Sequence, residues 1–249
     1  MTEAPALETT DRLFFARPGA MLDRDAAERR TAEGLAGTDD GELFLEYRES
    51  EQVSLEDGRI RSAGFDTALG FGLRAVLGEE AGYAHAGEMS DAALRRAAAT
   101  VSAVRGGRSG TAAEPPRATN ARLYTPANPL TETDFAARAR LLAEIDAYAR
   151  GRDARVAQVM ASLAGEWQAV QIIRADGRRV ADLRPLVRLN VSVVVAQGGR
   201  RETGSFGTGG RHGYARLLSA ETWHQAVDEA LRQALLNIDS RPAPAGEMD

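Results

Sequence analysis

The sequence predicts an α+β protein: two antiparallel β-meanders with about four helices packed on them. Three observations carry this. Apolar and polar residues alternate over short runs in two separate regions, 41–86 and 156–195, which is the period-2 mark of half-buried strands. Asp57-Gly58 and Asp176-Gly177 sit between such runs, where a hairpin needs residues that tolerate positive φ. Apolar residues at helical spacing fall between and after the two regions. Hairpin turns in place of crossover helices exclude a doubly wound parallel sheet.

Taken in order, residues 1–19 read as a flexible N-terminal arm, ending in the punctuation Arg17-Pro18-Gly19. The arm carries acidic residues where a signal peptide needs positive charge, and it lacks an apolar core region. Asp23 is placed to cap a first helix to Ala36, which Gly37-Thr38-Asp39 ends. In the first meander, Leu43, Leu45 and Tyr47 share a face, Val53 and Leu55 repeat the pattern, and Ile60 and Phe65 follow the Asp57-Gly58 turn. Next, Leu69, Phe71, Leu73, Ala75 and Leu77 line one face, with Gly70 and Gly72 on the other. Gly78-Glu79-Glu80 turns the chain into a last strand, Gly82 to Ala86. About five strands are expected. Two glycines on one face of a strand leave two readings: a bound chain approaches that backbone closely, or the strand packs there under a helix or at a subunit interface.

Ser90 can cap a helix with the stripe Leu94, Ala97, Val101 and Val104, leaving Arg95, Arg96 and Arg105 on a solvated face. The stretch 106–130 is rich in Gly, Ser and Pro and reads as a long loop joining possible halves 20–105 and 131–241 of one domain spanning 20–241. No residue-level repeat proves the halves related. Thr131 or Thr133 opens a helix with Phe135, Leu142, Ile145 and Ala149 on one face, ending near Gly151. Strands are expected at Val156 to Leu163, Trp167 to Ile173 and Arg178 to Val195. Pro185 within the last must mark an edge, a bulge or a break, since proline cannot donate to a ladder. A final helix starts near Ser219, carries Trp223, Val227, Ala230, Leu231, Ala234, Leu235 and Ile238, and stops before Pro242 and Pro244.

Composition narrows the function. A chain of 249 residues can bury a large core. It has no cysteine, which removes disulfides, thiolate metal sites and a cysteine nucleophile. All 31 basic residues are arginine, dispersed among 36 acidic ones for a net charge of −5, so no nucleic acid partner is expected. No run approaches the roughly 18 apolar residues of a membrane span, and a cytoplasmic protein with no membrane partner is expected.

Sites of chemistry are sparse. His85, His212 and His224 are scattered, with no pair at the i, i+4 spacing of a helical zinc motif. His85 and His224 read as structural or exposed; His212 stays open. The stretch ETGSFGTGGRHGY, with Gly204, Gly207, Gly209 and Gly210, could be a phosphate cradle or a flexible hairpin loop. A P-loop would need Gly-Lys-Ser/Thr opening a helix, and there is no lysine. No G-x-S-x-G elbow supports a serine nucleophile.

Several segments stand out together: LFLEYRES and LEDGRI, GFGLRAV and GYAHA, Leu123-Tyr124, RVAQVMASL (Arg155 to Leu163), ADLRPLVRLNVSVVV (Ala181 to Val195), RRETGSFGTGGR (Arg200 to Arg211) and APAGEM (Ala243 to Met248). Taken together they resemble the N-terminal part of the TldD/PmbA family of zinc metallopeptidases. They occur in family order along nearly the whole chain. In that family a metal-binding HExxxH motif and a ligating cysteine follow shortly after the last segment. The resemblance therefore implies a chain truncated before HExxxH, with 242–249 beginning the link to a missing catalytic domain. It also gives the glycine-rich stretch a third reading, a family loop near the catalytic half.

The expected function is the substrate-handling and subunit-pairing half of a TldD-like metalloprotease that processes unfolded peptides. The resemblance implies zinc for the full-length enzyme, none in this chain, and dimerisation with itself or a paralogous subunit. The chain alone is expected to be inactive. The alternative is a non-catalytic peptide-binding or assembly module, such as a metal-free paralogous subunit. An extended peptide would be held by backbone hydrogen bonds to an open strand edge in 41–86, with Gly70, Gly72, Gly209, Gly210 and Arg211 as candidate substrate-binding residues.

Overall fold

The computed structural model describes residues 4–106, 110, 123–241 and 246. Most of the loop 106–130 and of the segment 242–249 lies outside the described residues. Among the described residues, five α-helices and six strands form an α+β fold: α1 (Ala4–Phe15), α2 (Arg24–Leu35), β1 (Asp40–Glu56), β2 (Arg59–Leu77), β3 (Glu80–Ala86), α3 (Asp91–Ser102), α4 (Phe135–Arg152), β4 (Val156–Arg174), β5 (Arg179–Gln197), β6 (Arg200–Gly210) and α5 (Ala220–Asp239). The strands run as two antiparallel meanders in one sheet, ordered β3-β2-β1-β4-β5-β6.

The first meander has three long strands where the sequence suggested about five. The short runs counted separately in the sequence join: β1 passes unbroken through the polar Ser50 to Gln52, and β2 through Gly64. Backbone hydrogen bonding to neighbours continues whatever the side chains do, so a polar stretch changes exposure and not strand character. The reversals are where positive φ is allowed: Asp57 and Gly58 at 50° and 73°, Gly78 at 60°, and Gly198 and Gly199 at 57° and 84°.

The chain divides into two compact units. The first comprises Met1–Glu49, Asp66–Ala127 and Trp167–Pro185. Its core joins Leu43, Leu45, Phe71, Leu73 and Ala75 of the strands to Leu35 of α2 and Leu94, Ala97 and Val101 of α3. Asp23 and Ser90 cap α2 and α3 by accepting from Ala26 N and Ala93 N at 2.7 and 3.1 Å. Arg30 of α2 donates through Nε and Nη2 to both oxygens of Asp91 on α3. The expected N-terminal arm is a helix over residues 4–15: Phe14 is 1% exposed, and buried Gln171 donates to Thr10 Oγ1 and to Asp11. A short helix whose apolar residues sit at its two ends, around the polar run Glu8 to Arg12, carries little periodic signal, and tertiary contacts supply what propensity does not.

The second unit comprises Ser50–Phe65, Asn128–Glu166 and Leu186–Asp249. Val53 and Leu55 of β1, Val159 and Leu163 of β4, and Val187, Leu189, Val191 and Val193 of β5 meet Leu142 and Ile145 of α4 and Val227, Ala230 and Ala234 of α5. Alternate residues of the same strands face away from this core. The β5–β6 ladder begins at Val187↔Gly210, so Pro185 lies just beyond it and no β6 carbonyl awaits its missing N–H.

The glycine-rich stretch is neither a flexible loop nor a phosphate cradle: it is strand β6, paired residue for residue with β5 from Arg200 to Gly210. Gly204 is required there because a Cβ would collide with the Ala230 carbonyl and the Ala234 N of α5.

Candidate functional site

In the second unit, β2 supplies an open strand edge. Its ladder with β3 covers only Phe71 to Leu77, so Arg59 to Phe65 has no β3 partner, and every one of these residues is exposed. The other edge of this unit differs. Gln233 of α5 accepts from Ser205 N at 3.4 Å, Asn237 donates to the Thr203 carbonyl at 3.0 Å, and Arg200 donates to the Ser240 and Asn237 carbonyls. Side chains of α5 thus occupy two outward backbone groups of β6, the Thr203 carbonyl and the Ser205 N–H.

Beside the open edge lies a cavity of about 260 Å³ lined by Glu51, Gln52, Val53, Ala63, Gly64, Phe65, Phe135, Arg138, Leu163 and Tyr214. Phe65 and Phe135, 63% and 49% exposed, form its mouth. At its polar end Glu51 accepts from Arg138 Nη2 at 2.9 Å through one oxygen and from the Tyr214 hydroxyl at 2.9 Å through the other. Arg138 also donates to the Thr133 carbonyl at 2.7 Å, and its guanidinium stands 5.5 Å from the Tyr214 ring centroid. Burial, then the neighbouring Glu51 charge and hydrogen bond, push the Tyr214 phenol well above its ordinary value. The group is a closed donor–acceptor set that fixes the start of α4 and the segment after β6 on β1.

The three residues escaped the sequence reading. The one available signal was Arg138 itself, which falls on the apolar stripe of α4 between Phe135 and Leu142; a charge on a buried stripe needs a partner.

The proposed site residues fall in different places. Gly70 and Gly72 belong to the first unit, where a Cβ would meet the Ala86 carbonyl at 2.8 Å and the Tyr83 hydroxyl at 2.6 Å respectively; Gly72 is opposite His85 in the β2–β3 ladder. Gly209 and Gly210 belong to the second unit, opposite Arg188 and Val187, with Arg211 immediately after the strand. His85 stacks on Tyr83 at 5.7 Å, His224 stacks on Tyr148 at 4.2 Å, and His212 Nδ1 lies 2.9 Å from the Gly213 carbonyl oxygen.

A second cavity, about 460 Å³, lies on the sheet face away from the core and is lined by alternate residues of β1, β4, β5 and β6, among them Ser54, Glu56, Ser162, Arg188, Asn190, Ser192, Ser205 and Gly207.

Antiparallel meanders with helices on the sheet describe a protein of α+β class, and among the described residues no catalytic group is assembled. The comparisons give its family. The model of the PmbA/TldA metallopeptidase domain 1 matches residues 41–105, and that of the central domain matches 128–238. The chain belongs to the PmbA/TldD family. It is 37% identical over 224 residues to a Metalloprotease TldD homolog of Haemophilus influenzae, covering 84% of this chain and 45% of that protein. It is 34% identical to a namesake from Buchnera aphidicola subsp. Schizaphis graminum, covering 84% and 44%. The chain spans about half the length of these relatives. Among solved structures, TldE from Thermococcus kodakarensis superposes with TM-score 0.63 at 14% identity, covering 92% of this chain and 47% of that one. A Bacteroides thetaiotaomicron protein named for a suggested role as a modulator of DNA gyrase gives 0.68 at 13% identity, covering 84% and 49%. Both show likeness of fold.

The family is named for a metal. Among the described residues no three His, Cys, Asp or Glu side chains converge as ligands would. The donor set of these residues does not fit a metal centre. Among the described residues, no helix is long and apolar enough to cross a membrane.

Proposed function

We propose that this chain is the substrate-handling part of a TldD-like metalloprotease, binding unfolded peptides in extended form and pairing with a paralogous or identical subunit, with the metal chemistry supplied outside the residues described. The observation that carries the reading is the open edge of β2 from Arg59 to Phe65, exposed along its length. Peptides of varied sequence share only their backbone, and a strand edge recognises that backbone. Each net hydrogen bond contributes roughly 0.5–1.5 kcal/mol, so five give about 3–7 kcal/mol before ordering costs, an affinity of tens of micromolar at best. A folded protein offers no free strand, and selection for unfolded chains follows from access alone.

The test compares an unstructured peptide, its scrambled sequence, and the same peptide N-methylated at alternate amides. Binding is expected to survive scrambling and to fall about tenfold or more on N-methylation, since each methyl removes a donor. Equal binding of the N-methylated peptide overturns the edge. Single prolines at Ser62 and Ala63 locate it: successive N–H groups point to opposite sides of a strand, so one of the two substitutions strikes the open side. The chain alone is expected not to cleave casein; chelator-sensitive cleavage would place the chemistry here after all.

A further inference from the structure

We propose that the polar cavity on the outer sheet face of the second unit is a carboxylate-binding site centred on Arg188. The Arg188 Nε donates to Asn190 Oδ1 at 2.8 Å, and Asn190 in turn donates through Nδ2 to Ser162 Oγ at 3.5 Å. This file of side chains across β5 and β4 pins one edge of the guanidinium and leaves its two terminal nitrogens for a ligand. Among the described residues no carboxylate pairs with Arg188, whereas the neighbouring Arg61 is held by Glu56 at 2.9 Å. The lining therefore carries one uncompensated positive charge, in a protein whose net charge is −5.

The opposite strand is shaped to receive that guanidinium. A Cβ at residue 207 would come within 2.9 Å of Arg188 Nη2 and 2.8 Å of Asn190 Oδ1, so glycine there lets both side chains lie down across β6. Ser192 and Ser205 face each other two register positions further along; the Ser192 hydroxyl donates to the Gly204 carbonyl at 3.4 Å, and the Ser205 hydroxyl has no partner among the described residues. A planar two-oxygen anion matches the free fork of an arginine with one hydroxyl donor on the same face. A phosphate dianion would call for more cationic partners than the single free charge present. The carboxylate could come from a small organic acid or from the end of a peptide, and this site stands independently of the strand edge.

The test is calorimetric titration of the wild-type chain and the Arg188→Gln and Gly207→Val variants with three probes. These are succinate, an eight-residue unstructured peptide with a free C-terminus and no acidic side chain, and the same peptide amidated. Wild type is expected to take succinate, or to prefer the acid peptide over its amide by about tenfold. Either preference should vanish in Arg188→Gln and weaken in Gly207→Val, with circular dichroism unchanged because Arg188 is exposed. Binding of succinate but not peptide makes the ligand a small acid; preference for the acid peptide without succinate binding makes it a chain terminus. Wild type that takes neither, or an Arg188→Gln variant that binds as wild type does, overturns the site. Peptide binding with no acid-over-amide preference leaves the β2 edge standing and removes this one.

Discussion

Glu51 is the residue on which the second unit's polar interior depends, because its two oxygens serve two donors from distant parts of the chain. Glu51→Gln leaves the Arg138 guanidinium, 9% exposed at its side chain, without a counter-charge. The expected loss is about 2–4 kcal/mol of unfolding free energy in urea, against about 1–2 kcal/mol for Tyr214→Phe, which deletes one hydroxyl donor. The phenol also sets a pH limit. Its folded-state value lies above the unfolded value of about 10, so the folded protein keeps the proton longer. That contribution is complete below pH about 10 and is lost as pH rises through the folded value. Tyr47 adds to the same limb: burial first, then its bond to Glu49, push it up to about 12. Stability is expected to decline above pH about 10, with a shallower alkaline limb in both Tyr47→Phe and Tyr214→Phe. An unaltered limb in either variant would count against that tyrosine's contribution.

At the scale of elements, Gly204 is the most demanding position in β6. A valine there would drive its Cβ into the backbone of α5 at Ala230 and Ala234. Backbone cannot rotate aside as a side chain can, so Gly204→Val is expected to detach or shift α5 and cost more than 3 kcal/mol. Val at Gly198, which meets nothing within 4 Å but sits at φ 57°, should cost less and act only through the turn. The same strand shows what the sequence could and could not say. Alternation in 41–47 and 187–195, the caps Asp23 and Ser90, and the start of the last helix near Ser219 were legible because they depend on neighbours in sequence. Gly204 to Gly210 was not, because composition alone cannot distinguish a glycine chosen for freedom from one chosen for lack of a side chain. Gly165, whose Cβ would strike the Tyr214 hydroxyl and Leu130, hid the continuity of β4 for the same reason.

At the scale of the whole molecule, the family was readable from segments in order along the chain, whereas the site was not. Glu51, Arg138 and Tyr214 lie 163 positions apart at their extremes, and nothing local announces that they meet. The two edges of the second unit, one vacant and one occupied by side chains of α5, carry a consequence for assembly. Endless polymerisation requires each copy to offer two complementary surfaces, one to receive and one to give. With one side stoppered, two copies meeting at the other would leave no edge for a third, so any such association would end at a closed pair and not a fibre. Gln233 and Asn237 are then the stoppers. Replacing both by alanine should leave the monomer folded yet give light scattering that grows with concentration, and blocking Arg59 to Phe65 with a strand-forming peptide should suppress it. The bar to open-ended growth would thus rest on two amides of α5.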